Sequence, residues 1–96
     1  MMTLSKKDRK VILQQAIDNF GEISQLLMAI EEASELIMAI THRWRGRVLD
    51  DAVIEEIADV KIMCWQLELI FGEKEVDEMV EFKLQRLKTL LLSEGD

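Results

Sequence analysis

Apolar residues recur along the chain every three or four positions, and Gly21, Gly46 and Gly72 interrupt that rhythm. The pattern predicts four helices, at about 5–20, 22–43, 51–71 and 73–92. Ser5 with Asp8 three residues on forms an approximate capping box for the first, and Gly21 stops it. Its expected inward stripe is Val11, Ile12, Ala16, Ile17 and Phe20. The second carries Ile23, Leu26, Leu27, Ile30, Ile37, Ile40 and Trp44 on one stripe. The third opens at Asp50 or Asp51, both good N-caps, and lines up Val53, Ile57, Val60, Cys64, Leu67 and Phe71. The fourth aligns Val76, Val80, Leu84, Leu87 and Leu91. The expectation is an all-α, four-helix-bundle-like subunit forming a single domain over 1–96.

Composition narrows the classes. With 96 residues there is one core at most, since short chains bury too little surface for two. No proline and 4 glycines suit helices better than a turn-rich sandwich. A formal charge of −7, from 12 basic and 19 acidic residues, disfavours nucleic acid and anionic membrane as partners. A lone cysteine, Cys64, excludes an intrachain disulfide framework and fits a core position in a reducing compartment. No apolar run is long enough to span a bilayer and no secretory leader is visible, so a cytoplasmic protein is expected.

The carboxylates of the two central segments do not look like a solvated face. Glu31-Glu32-Ala33-Ser34-Glu35 and Glu56-Ile57-Ala58-Asp59 each place acids three residues apart, on one side of a helix. From Ile23 to Thr41 there is no lysine or arginine, and from Val48 to Val60 there is again none. A solvated helix normally mixes signs, because like charges on one face repel. With Ile30 at zero, Glu32 and Glu35 fall at about −160° and 140°, beside Met28, Leu36 and Ala39. With Ile57 at zero, Glu56 and Asp59 fall at about −100° and −160°, sharing a sector with Ala52, Met63 and Ile70. Both helices are thus apolar nearly all round, and each is expected to be buried on more than one side. Buried carboxylates must be protonated, paired or bound to metal, and protein cations are scarce here. Hard cations such as Mg²⁺, with Mn²⁺ as a substitute, prefer oxygen ligands of this kind.

Other charged groups have two readings each. Glu75, Glu78 and Glu81 form a ladder expected to face solvent, with Lys74 and Lys88 nearby. Lys83 lies in line with Val76, Met79, Leu87 and Leu90, where it either snorkels or meets an anion, and Arg86 stands three residues on. His42-Arg43-Trp44-Arg45-Gly46-Arg47 joins the acid-bearing helices. Arg43, Trp44 and Arg45 could receive a triphosphate and a base, or merely decorate a helix C-terminus with favourable cations. His42 is the only histidine and would be an isolated metal ligand.

Taken together, Glu31-Glu32-x-x-Glu35, a gap, then Glu56-x-x-Asp59 resembles the signature of the MazG-like all-α nucleoside triphosphate pyrophosphohydrolases, a group related to dimeric dUTPases and dCTP pyrophosphatases. Phe20-Gly21, Gln25, Ala58-Asp59-Val60, Phe71-Gly72 and Lys83-x-x-Arg86-Leu87 extend the resemblance over most of the chain. It implies a bundle completed by oligomerisation, as a homodimer or a dimer of dimers. It implies Mg²⁺ held by Glu32, Glu35, Glu56 and Asp59, phosphates met by Lys83 and Arg86, and catalytic roles for Glu35 and Glu31. Glu31 would orient water, support the metal ligands, or only pair helices. The implied reaction is hydrolysis of a nucleoside or deoxynucleoside triphosphate to monophosphate and pyrophosphate by metal-activated water. The competing reading is a non-enzymatic helical interaction or regulatory module whose acidic pairs are structural. A di-iron carboxylate bundle is disfavoured, because it wants Glu-x-x-His on two helices.

Overall fold

The computed structural model describes residues 2–94. It contains four helices, α1 (Lys6–Phe20), α2 (Glu22–Trp44), α3 (Asp50–Phe71) and α4 (Glu73–Glu94), and no strand among the described residues. The expected bounds hold to within two residues at every end. Ser5 caps α1, its hydroxyl accepting from the Asp8 backbone N–H at 3.0 Å. Single glycines separate α1 from α2 and α3 from α4. Gly21 at φ 88° and Gly72 at φ 131° adopt backbone that side-chain-bearing residues rarely reach. Each also donates its N–H back into the helix it ends, to the carbonyls of Ile17 and Glu68, both at 2.8 Å. Leu49, not an aspartate, is the cap residue of α3. Asp50 and Asp51 fall instead in its first turn, where they complement the helix dipole.

The body of the subunit is the antiparallel hairpin of α2 and α3. The facing residues on α2 are Gln25, Ala29, Glu32, Leu36 and Ala39. Those on α3 are Ala52, Glu56, Asp59, Met63, Gln66 and Ile70. Both sets advance in alternating steps of four and three, the spacing of a coiled-coil seam. This seam is the carboxylate sector of each helix, and the larger aliphatic stripes expected to face inward lie elsewhere. Ile23, Ile30 and Ile37 on α2 are 75%, 65% and 66% exposed. On α3, Ile57 and Phe71 are exposed, as is Cys64, which is therefore no buried hydrophobe in the single chain. The two most apolar helices have turned their carboxylate-bearing sides toward each other.

α1 lies across α2 and α3 and buries Leu13 and Ile17, whereas Val11, Ile12 and Phe20 from its expected stripe are exposed. The Arg9 guanidinium stacks 3.9 Å from the Trp65 ring centroid, and Lys10 pairs with Glu73 at 3.0 Å. α4 packs on α3 at its beginning and meets α1 there through the Lys10–Glu73 pair, and every residue from Asp77 to Glu94 is exposed. The Glu75, Glu78 and Glu81 ladder is solvent-facing as expected, but Val80, Leu84, Leu87 and Leu91 are uncovered too. The radius of gyration is 16.6 Å, against about 12.5 Å for a compact domain of this length.

Leu13→Ala should cost roughly 2–5 kcal/mol of stability in urea denaturation, while Ile12→Ala should cost less than about 1 kcal/mol. Equal losses would contradict the observed seating of α1.

Candidate metal centre

The four-and-three spacing on α2 brings Glu32 into the seam between Ala29 and Leu36, and Glu35 onto its edge. The same spacing on α3 brings in Glu56 and Asp59. Because the hairpin is antiparallel, these pairs meet near the middle of α2. One carboxylate oxygen from each of Glu32, Glu35 and Glu56 lies within 4.8 Å of the others. Glu32 and Glu56 are half-buried and Glu35 is exposed. Glu32 Oε2 and Glu56 Oε2 are shut off from solvent and lack a hydrogen-bond partner. Asp59 stands outside that trio, yet its charge reaches both buried members.

Among the described residues no cation pairs with this cluster. The ion pairs among the described residues are Lys10–Glu73, Arg43–Asp50 and Lys74–Glu78, none of which touches the cluster. The Glu32 carboxyl is raised above 4.5, first by desolvation and then by the charges of Glu35, Asp59 and Glu56. Glu56 is raised for the same first reason, then by Glu35, Asp59 and Glu55. Two orphaned acceptor oxygens, on Glu32 and Glu56, with the Glu35 carboxylate beside them, are a donor set that a hard divalent cation satisfies.

Beside the cluster is an open depression of about 250 Å³. Glu35, Glu55, Glu56 and His42 form its polar lining, and Met38, Ala39, Val48 and Ala52 its apolar lining. Sequence reasoning set His42 aside and did not single out Glu55. The spacing Glu35, Met38, His42 along one line of α2 was the available signal for the histidine. The depression is smaller than the several hundred Å³ typical of a small-ligand pocket, so one chain alone does not enclose a nucleotide.

The remaining candidates stand apart. Glu31 is exposed, one residue round the helix from Glu32. Arg43 pairs through Nε with Asp50 at 2.6 Å, tying the two ends of the loop together. Arg45 terminates α2, its backbone N–H bonded to the carbonyls of Thr41 and Arg43. Trp44 is 86% exposed, so this loop forms no closed phosphate or base site. Lys83 and Arg86 are exposed on α4, which makes no packing contact with α2. No family model, curated protein or solved structure matches the chain. No helix among the described residues is long and apolar enough to cross a membrane.

Raised carboxyl pKa values mean that the folded, metal-free chain holds protons the unfolded chain has released. Their stabilisation is present at acid pH and is lost as pH rises from 4.5 through the raised values. The melting temperature without metal should therefore fall across that window. The fall should be smaller in the Glu32→Gln/Glu56→Gln double variant. An identical pH slope in the two proteins would contradict the cluster's electrostatics.

Proposed function

We propose that the chain is a Mg²⁺-dependent hydrolase that cleaves a nucleoside or deoxynucleoside triphosphate to the monophosphate and pyrophosphate. The observation that carries this reading is the approach of Glu32, Glu35 and Glu56 oxygens to within 4.8 Å with no protein cation paired to them among the described residues. The resemblance of the two acidic motifs to the MazG-like group supports the same assignment. Glu32, Glu35, Glu56 and Asp59 would hold the metal, with Mn²⁺ a workable substitute. When bound, the ion would neutralise phosphate charge and lower the pKa of a water molecule.

The chain's own groups divide the remaining work. Glu35 is the exposed member of the trio and borders the depression, where it can accept the proton of the attacking water. Glu31 faces solvent beside it and has an orienting role at most. Lys83 and Arg86 are the proposed phosphate-binding cations. They would reach the carboxylates from the α4 of a second chain, since α4 does not touch α2 within one. Arg43, already paired, contributes less than the sequence alone suggests, and Trp44 and Arg45 are exposed.

Incubation with each common nucleoside and deoxynucleoside triphosphate and Mg²⁺ tests the reading. Monophosphate and pyrophosphate should appear for at least one. Glu32→Gln, Glu35→Gln, Glu56→Gln and Asp59→Asn should each lower kcat by on the order of 10²-fold or more, with helicity preserved. Full activity in any two of these variants would contradict the site. A protein that turns over no triphosphate would be left with the interaction-module reading.

Lys83→Met should lower kcat by on the order of 10²-fold without weakening Mg²⁺ binding, and Arg86→Met should act mainly on KM. Unchanged kinetics in both would remove α4 from the substrate site.

A further inference from the structure

Away from the carboxylate seam, α1, α3 and α4 converge on a cavity of about 190 Å³. Lys6, Arg9, Lys10 and Leu13 line it from one side of α1, at the spacing of a single helix face. Trp65, Glu68 and Leu69 of α3 and Glu73 and Asp77 of α4 complete the walls. The basic row is no ordinary solvated face. It occupies the opening turns of α1, where the helix dipole opposes cations, and it runs into Leu13, which is buried. Lys10 is satisfied by Glu73 at 3.0 Å. Arg9 is half-buried, with the flat of its guanidinium on the Trp65 ring. Stacking uses only that flat face, because the N–H donors of a guanidinium lie in its plane. None of those donors has a hydrogen-bond or ion-pair partner among the described residues. The half-buried Glu68 carboxylate has none either.

An arginine edge and a carboxylate that line one cavity without pairing select a ligand by its charge. A lone anion would meet Arg9 and Lys6 but also the repulsion of Glu68 and Asp77, and a lone cation would meet the reverse conflict. A molecule that carries both charges satisfies both walls. The geometry points to a binding site for a small zwitterion, a free α-amino acid. Its carboxylate lies on the Arg9 edge and Lys6, its ammonium on Glu68 and Asp77, and its carbon skeleton against Leu13 and Leu69. The volume equals that of about six water molecules, which admits a small amino acid and is too little for a nucleotide. The cavity shares no residue with the Glu32, Glu35 and Glu56 cluster and does not depend on the hydrolytic reading.

Fluorescence tests the site directly, because Trp44→Phe leaves Trp65, in the cavity wall, as the sole indole. Glycine, alanine, serine and threonine are titrated separately into that variant. At least one should give a saturable change in Trp65 emission. Its N-acetyl derivative, which lacks the ammonium, and its amide, which lacks the carboxylate, should each bind more weakly by on the order of 10-fold or more. Arg9→Lys keeps a cation over Trp65 but loses the planar donor edge, and Glu68→Gln removes the opposing charge. Each should weaken the parent amino acid by a similar factor while helicity is unchanged. No saturable response to any of these amino acids would overturn the inference. So would an N-acetyl derivative that binds as tightly as its parent, which would mark a simple anion site, or undiminished affinity in both variants.

Discussion

The subunit is organised round a packing choice that costs electrostatic energy: two helices meet along the side that carries their carboxylates. Glu32, Glu56 and Asp59 occupy seam positions where a coiled-coil interface would ordinarily place aliphatic side chains. The two shielded oxygens there have no hydrogen-bond partner, and burial together with mutual repulsion pushes both glutamates toward the neutral form. Alanines at positions 29, 39 and 52 let the backbones come close enough for these groups to gather. The weakness of that seam as hydrophobic packing is part of its chemistry, because a divalent cation is what would convert the repulsion into binding energy.

The same choice explains the surface. If α2 turns its acidic side to α3, its isoleucines must face outward, and they do. The buried set is correspondingly small: Leu13, Ile17, Gln25, Ala39, Met63 and Gln66. A chain with so little core and a bare α4 arm leaves much apolar surface uncovered.

Much of this was legible in the sequence, and the exceptions are instructive. The helix bounds followed from Gly21, Gly72 and the apolar period, because a single positive-φ residue is all that separates α1 from α2 and α3 from α4. The clustering of Glu32, Glu35 and Glu56 followed from their spacing and the absence of nearby lysine or arginine, while Asp59 stands outside the trio. What failed was the assumption that the most hydrophobic stripe faces the nearest neighbour in the chain. Ile30 and Ile37 form the stronger stripe on α2, yet the hairpin used Ala39 and Gln25. Periodicity reports that a face wants burial, but it does not say which molecule covers it. Cys64 and Leu84 were misplaced for the same reason. Lys83 and Arg86 depend on the path of α4, which within the chain packs only at its beginning and which local pattern does not fix.

Manganese binding to the metal-free protein, followed by electron paramagnetic resonance, puts the central claim to the most direct test. Saturable Mn²⁺ binding that Mg²⁺ displaces, and that is lost in Glu32→Gln/Glu56→Gln, is the predicted result. Absent binding, or binding that persists in the double variant, would contradict the assignment of the α2–α3 seam as a metal centre.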